Sequence, residues 1–447
     1  MRVFKNTGLI ILICLSLFLT SCKTQQNNSD DGYSPLSSSA KEEKSELPRL
    51  DIDIDNGEFV IEKKEYKKGI AALSQTKDEY TFSERPVQIR GRGNSTWAAP
   101  KRPYKIKFDE KTDMFGFGEA RDWVLLANYY DKTLMRTAVA YNVAVLFDTM
   151  EFIPRTQSVD LFINGEYEGV YLLTDQIEVN PIRVKIPKTQ NAETGFMLEV
   201  DSRIDDEEGS VEDKHYIALE NGYNFAIHFP DPDVITPEQV KYIKDYLTSV
   251  QEAVYKGEGY EEYIDVDSFV DWALFSEIFK NVESGFNSSC YFVKRVGEKM
   301  RMEPLWDYDL SAGNYEYEPF REPNSFICIE NSVWFKNLYV KSDVFRYKFI
   351  ERWNKLKDPV KELFEKNVNE YSKILKEPSK RDDKTWETLR HGYWPNPEQV
   401  VRAKTFDAQV RYYKSWMNER YSWLNQVLVW DSKEIKGIIL MPESEEP

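Results

Sequence analysis

Two short stretches hold residues whose types and spacing suit phosphate and cation chemistry. The first is Arg90-Gly91-Arg92-Gly93-Asn94-Ser95-Thr96-Trp97, followed by Pro100-Lys101-Arg102-Pro103-Tyr104-Lys105-Ile106-Lys107-Phe108. A glycine-bearing turn lets backbone N–H groups approach an anion closely, and Lys105 and Lys107 alternate with Tyr104, Ile106 and Phe108 on opposite faces of a strand. That arrangement suits a polyphosphate, although the same residues also fit an ordinary hairpin with a solvated basic face. The second stretch runs from Asn281-Val282-Glu283-Ser284-Gly285-Phe286-Asn287 to Pro304-Leu305-Trp306-Asp307-Tyr308-Asp309-Leu310, with a hairpin expected from Cys290 to Met302. A carboxylate and amides just after a buried helix, then two carboxylates at a strand end, offer the oxygen ligands that a hard cation prefers. The bland alternative is that Asp307 and Asp309 cap a turn before Gly313.

Other chemistries have little to stand on. The three histidines, His215, His228 and His391, are far apart in no metal-ligand spacing, and no Gly-x-Ser-x-Gly elbow occurs. Zinc-hydrolase and serine-hydrolase readings are therefore set aside.

The elements that must position these residues fall into two halves. Alternation of Ile52 and Ile54, a turn at Asp55-Asn56-Gly57 and then Phe59-Val60-Ile61 predict an early β-hairpin. Strands follow at Val87 to Arg90, Tyr104 to Phe108, Ser158 to Ile163 and Val170 to Leu173, with Asn164-Gly165 as the turn between the last two. One helix, Lys132 to Phe147, is expected among them, with Asp131 as its N-cap. The second half is expected to be mostly helical: Asp265 caps a helix bearing Phe269, Trp272, Phe275, Ile278 and Phe279, and further helices are predicted at Val344 to Lys355, Val360 to Leu375 and Ala403 to Val427.

At the N-terminus, Arg2 and Lys5 precede an apolar run, Gly8 to Leu19, that closes on Leu19-Thr20-Ser21-Cys22, the pattern of a signal peptide with a lipobox. The expectation is an exported chain, cut before Cys22 and held by lipid on that cysteine to a bacterial membrane, the outer membrane or the cell surface. An ordinary secretory signal with a chance cysteine is the alternative. Residues 23 to 48 are polar and read as a tether. The formal charge of −17 argues against nucleic acid as a partner. Cys290 and Cys328 are left to pair in an oxidising compartment or to stay as buried thiols.

Taken in order, the segments resemble the CotH kinase family, atypical protein-kinase-like proteins named for a spore-coat protein. The similarity covers Val87 to Phe108, Asp122 to Asn128, the helix from Asp131 with Leu134-Met135-Arg136, Asn164-Gly165 to Leu173, Gly195 to Asp201, Asn281 to Asn287, and Trp306-Asp307-Tyr308-Asp309 with Gly313-Asn314. The resemblance implies an α+β, atypical two-lobed protein-kinase-like fold, with a β-rich N-terminal lobe and a mostly α C-terminal lobe. On that frame, 1–21 is the signal peptide, 22–48 the lipid-anchored tether, 49–84 an N-terminal β region, 85–200 the kinase-like N-lobe, 201–435 the α-rich C-lobe and 436–447 a flexible tail.

It further implies ATP with Mg2+ or Mn2+, and transfer of the γ-phosphoryl group to Ser or Thr of an exported protein or to another hydroxyl acceptor, such as a glycan. Glu283 then falls at the catalytic-loop acid and Asp307 at the metal-binding acid. Asp309 and Asn287 are further metal candidates. Lys105, or alternatively Lys101 or Lys107, would contact phosphates, and Arg92, Gly93, Asn94 and Lys101 complete the nucleotide-binding set. Three departures stand out: Glu283 where the family usually has Asp, a glycine turn unlike G-x-G-x-x-G, and no internal Glu in the 132–147 helix, where Asp131 and Arg136 offer another network. The competing reading is a catalytically weak or inactive pseudokinase-like lipoprotein acting as a surface adaptor.

Overall fold

The structure, a computed structural model, describes residues 47–200, 216–220 and 222–429. The leader, Cys22, all but the end of the tether and the C-terminal tail lie outside the described residues, as do His215 and Asp201.

Seven strands close into a barrel: β1 (Arg49–Ile54), β2 (Lys67–Ser74), β3 (Phe82–Gly91), β4 (Tyr104–Asp113), β5 (Glu119–Leu126), β6 (Thr156–Ile163) and β7 (Glu166–Asp175), in the order β1-β2-β3-β4-β5-β7-β6. Alternate residues of each strand fill the interior, among them Leu50, Ile52, Leu73, Val87, Ile89, Ile106, Phe108, Trp123, Leu161 and Tyr171. Closure comes from the parallel pairing of β1 with β6, Arg49 opposite Asp160 through Ile52 opposite Ile163. This corrects the expectation of a kinase-type N-lobe: the sheet is a closed barrel, which leaves no free edge. Asn164-Gly165 does turn β6 into β7. The early hairpin is different from that expected, because β1 pairs with β2 and not with 59–61, whose Phe59 and Ile61 are exposed. Pairing with β2 places Ala71 and Leu73 in the interior, where Leu50 and Ile52 already point.

Between β5 and β6, helix α1 spans Arg136–Ala144. It begins later than predicted, since Asp131 spends its carboxylate on the turn before it: Oδ1 accepts from the Thr133 N–H at 3.0 Å and Oδ2 from the Arg136 N–H at 2.7 Å. Arg136 returns a buried ion pair to Asp131 at 2.5 Å, so the expected Asp131–Arg136 network exists.

The C-terminal region is largely helical but carries its own five-stranded sheet, in the order β12-β11-β8-β10-β9, from β8 (Phe196–Val200), β9 (Tyr216–Ala218), β10 (Asn224–Phe229), β11 (Cys290–Lys294) and β12 (Arg301–Met302). Helices α2 (Pro237–Lys256) and α3 (Val266–Phe279) pack with it around one apolar core. Asp265 caps α3 by accepting from the Ser268 N–H, as expected, and α3 is buried on all sides from Ser268 to Phe279. After α4 (Cys328–Asn331) and α5 (Val333–Lys341), the two helices predicted at 344–355 and 360–375 are one, α6 (Asp343–Ile374), which runs through Pro359. Then come α7 (Lys376–Trp386), α8 (Glu398–Arg402) and α9 (Phe406–Val427). Cys290 and Cys328 are both free and buried. Among the described residues, no helix is long and apolar enough to cross a membrane.

Candidate active site

The glycine turn leaves the barrel at the end of β3. Gly91 donates to the Glu62 carbonyl at 2.9 Å and Arg92 N–H to the Pro103 carbonyl at 3.2 Å, which folds the turn back onto the start of β4. Gly93 has φ of +82°, and a Cβ there would meet the Thr96 hydroxyl at 2.2 Å, so the turn needs glycine at this position. These constraints aim Arg92 away from the barrel, where its Cζ lies 5.4 Å from the centroid of the Trp306 ring. Burial lowers the pKa of its guanidinium, while the carboxylates of Asp307 and Glu199 pull the other way.

Asp307 reaches this place through alternation. Trp306 packs with Val124, Ile177 and Tyr291, and Tyr308 enters the helical core against Phe275 and Phe279. Asp307 and Asp309 are thereby left on the side facing the barrel turn. Asp307 has φ of +61°, a conformation that Asp tolerates better than most residues. The loop is fixed by the Ala312 N–H to the Phe279 carbonyl at 2.7 Å and by Asn314, which donates to the Asp309 carbonyl at 2.7 Å. Burial and the adjacent Asp307 push the Asp309 carboxyl well above the usual range, with Asp131 and Glu283 adding to the negative field. Nearby, the buried Tyr141 hydroxyl is raised well above its ordinary value, by burial first and then by Asp307.

Glu283 sits in a single turn of 3-10 helix, Val282–Gly285, directly after α3, with its N–H held by the Asn281 side chain. Its Oε2 accepts from the Ser288 hydroxyl at 2.5 Å. Asn287 is exposed, with its amide nitrogen 3.5 Å from the Val282 carbonyl.

A cleft of about 350 Å3 opens beside the turn, lined by Arg92, Gly93, Asn94 and Lys105 together with Lys63, Lys64, Arg90 and Gln176. Lys105 is partnered by Asp122 at 3.0 Å. Lys101 does not belong to this set. Its fully buried ammonium donates to Asp382 and to the Val170 carbonyl, each at 2.6 Å, because the chain after the turn dives under β7 before β4 begins. The assignment of Lys101 to nucleotide binding is corrected accordingly: it ties the barrel to α7. Lys107 is not among the cleft residues either.

The sequence matches the family model described as CotH kinase protein over residues 89–424. The chain belongs to the CotH kinase family. No curated protein matches it.

Membership gives the site a kinase-like function, and in general terms a CotH kinase site implies ATP and a divalent metal. The donor set is consistent with such an ion. Asp307 and Asp309 are two carboxylates forced close enough to raise one of them, and magnesium commonly takes few protein oxygens and completes its shell with phosphates and water. No group of three or more His, Cys, Asp or Glu side chains converges on a metal position among the described residues.

Several residues beside this candidate site of the CotH kinase protein were not singled out in the sequence. Glu199 on β8 accepts from His228 at 2.8 Å and from the Ser289 N–H at 3.0 Å. Burial alone would raise its pKa, but hydrogen bonds from His228, Tyr291 and the Ser289 backbone hold it below the ordinary value. The signal was present as a lone acid in the apolar run Phe196-Met197-Leu198-Glu199-Val200. Tyr141 and Tyr291 gave no such sign, since each reads as an ordinary core aromatic.

Proposed function

We propose that this CotH kinase protein transfers the γ-phosphoryl group of ATP to a Ser or Thr hydroxyl of an exported protein, or to another hydroxyl acceptor. The observation that carries the reading is the meeting of Arg92, from the barrel turn, with Trp306 and Asp307, from the Trp306-Asp307-Tyr308-Asp309 segment. Phosphoryl transfer needs positioning and charge neutralisation more than covalent help from the protein. Arg92 and Lys105, with the backbone of Gly93 and Asn94, bind the phosphates. Asp307 and Asp309 would hold Mg2+ or Mn2+, which when bound supplies positive charge between the phosphate oxygens. Glu283, steadied by Ser288, orients the acceptor hydroxyl and takes its proton. Lipid on Cys22 anchors this site to the outside of a bacterial membrane.

Incubation of the purified protein with labelled ATP and magnesium or manganese tests the reading. Autophosphorylation or ATP turnover that disappears in Asp307→Ala is expected. Absence of turnover together with absence of any nucleotide-induced thermal shift would leave the adaptor reading in its place.

A further inference from the structure

The cleft beside Arg92 is built partly by a segment that precedes the family-matched region of 89–424: the loop between β1 and β2 carries Lys63 and Lys64 into it. This loop is fixed to the glycine turn. The Glu62 carbonyl accepts from the Gly91 N–H at 2.9 Å, the Lys63 carbonyl accepts from the Arg90 guanidinium, and that guanidinium lies 5.1 Å from the centre of the Tyr66 ring. A side chain at position 91 would meet the Glu62 carbonyl at 2.8 Å, so glycine permits the close approach that brings Lys63 and Lys64 to the turn.

Charge makes the arrangement unusual for this chain. The protein carries a net charge of −17, yet five cations, Lys63, Lys64, Arg90, Arg92 and Lys105, line one cleft. Of these, only Lys105 has a carboxylate within ion-pair distance among the described residues. Unpaired cations sharing a concave surface repel one another, and the cost is offset when a multiply charged anion enters. One of the five, Arg92, also feels the charge of Asp307.

We propose that Lys63 and Lys64 form a phosphate subsite that extends the Arg92 and Lys105 cleft and selects nucleotides by their number of phosphates. The inference rests on the phosphotransferase reading and adds to it a donor-selecting element contributed from outside the matched domain. The subsite takes the terminal phosphates of a nucleoside triphosphate, so affinity falls from tri- to di- to monophosphate.

Calorimetric titration of the full chain with ATP, ADP, AMP and inorganic tripolyphosphate, in magnesium, tests this. Both lysines stand on a loop, Lys64 is exposed and neither is engaged in an ion pair, so Lys63→Gln/Lys64→Gln is expected to fold with an unchanged thermal midpoint. It should bind ATP and tripolyphosphate roughly tenfold more weakly, with a difference that shrinks as salt is raised, and bind AMP as the wild type does. Wild-type ATP affinity in the double variant, with loss only in Arg92→Ala, overturns the subsite and leaves the kinase reading intact. An equal loss for AMP and ATP also overturns it, since the lysines would then not be reading phosphate number. Failure of the wild type to bind any of the four overturns the kinase reading itself.

Discussion

The Arg92 guanidinium lies over the Trp306 ring, with its carbon 5.4 Å from the ring centroid, although one belongs to the barrel turn and the other to the Trp306-Asp307-Tyr308-Asp309 segment. The contact joins the phosphate side of the site to the carboxylate side. A planar guanidinium both stacks and donates in a fork, whereas an ammonium does neither in the same way. Arg92→Lys should therefore weaken ATP binding by roughly fivefold, about 1 kcal/mol, despite keeping the charge. Arg92→Ala should weaken it further. Equal affinity of the Arg92→Lys protein and the wild type in calorimetry would show that the cation–π contact is incidental.

Glu283 raises a different question, because the family usually has the shorter acid there. The Ser288 hydroxyl meets its Oε2 at 2.5 Å, which steadies the longer side chain in place. Shortening to Asp withdraws the carboxylate by one C–C bond and breaks that contact, in a site whose geometry must hold to within roughly 0.5 Å. The expected result for Glu283→Asp is phosphoryl transfer lowered roughly tenfold with ATP affinity unchanged. Single-turnover measurements separate the two quantities. A rise in the transfer rate would mean that Glu283 attenuates the enzyme.

Period-2 alternation located β1, β3, β4, β6 and β7 but neither β2 nor β5, and Asn164-Gly165 marked the turn between β6 and β7, since both signals are local. Barrel closure had no local signal: Arg49 pairs with Asp160 across more than a hundred residues. The same distance effect hid the role of Lys101, whose partner Asp382 lies 281 positions away, so that Lys101 and Lys105 looked interchangeable in one basic run. Separate helices were expected at 344–355 and 360–375, yet tertiary packing of Phe349, Trp353, Val360 and Phe364 carries α6 unbroken through Pro359. The candidate acids Asp307 and Asp309 stood out because two carboxylates alternate with aromatics in the compact run Trp306-Asp307-Tyr308-Asp309. Glu199 did not, as its partners His228 and Ser289 come from two other strands or their flanks.

The Lys101–Asp382 pair gives a stability prediction that is independent of nucleotide. Both side chains are almost fully excluded from water, and Asp382 also accepts from the Val170 N–H at 2.8 Å. Gly169 leaves the room, since a Cβ there would meet the Asp382 carboxylate at 2.5 Å. Asp382→Ala strands a buried ammonium and should destabilise the fold by about 3–5 kcal/mol in urea denaturation. Lys101→Met/Asp382→Leu should recover part of that, held back by the unpartnered backbone groups of Val170. ATP affinity of the double variant should match the wild type. A large loss of affinity with recovered stability would return Lys101 to the phosphate site.

Glu303 supplies a pH dependence with a definite sign. It is buried beneath Arg301, accepts from the Glu151 N–H at 2.7 Å, and is pushed up to about 7 from 4.5, chiefly by burial. Between those two values the unfolded chain has released the proton and the folded chain has kept it. The folded state thus binds more protons there, and the contribution of Glu303 to stability falls as pH rises from 4.5 to 7, reaching its full cost above 7. Glutamine keeps an acceptor for the Glu151 N–H and cannot ionise, while the ion pair it loses with Arg301 is loose, at 3.7 Å. Glu303→Gln should therefore be more stable than the wild type by about 1–3 kcal/mol at pH 8 and nearly equal to it at pH 5. Denaturant titrations of both proteins at the two pH values measure the difference directly. A difference that is the same at both, or larger at pH 5, would mean that Glu303 is ionised in the folded protein throughout and that Arg301 holds it so.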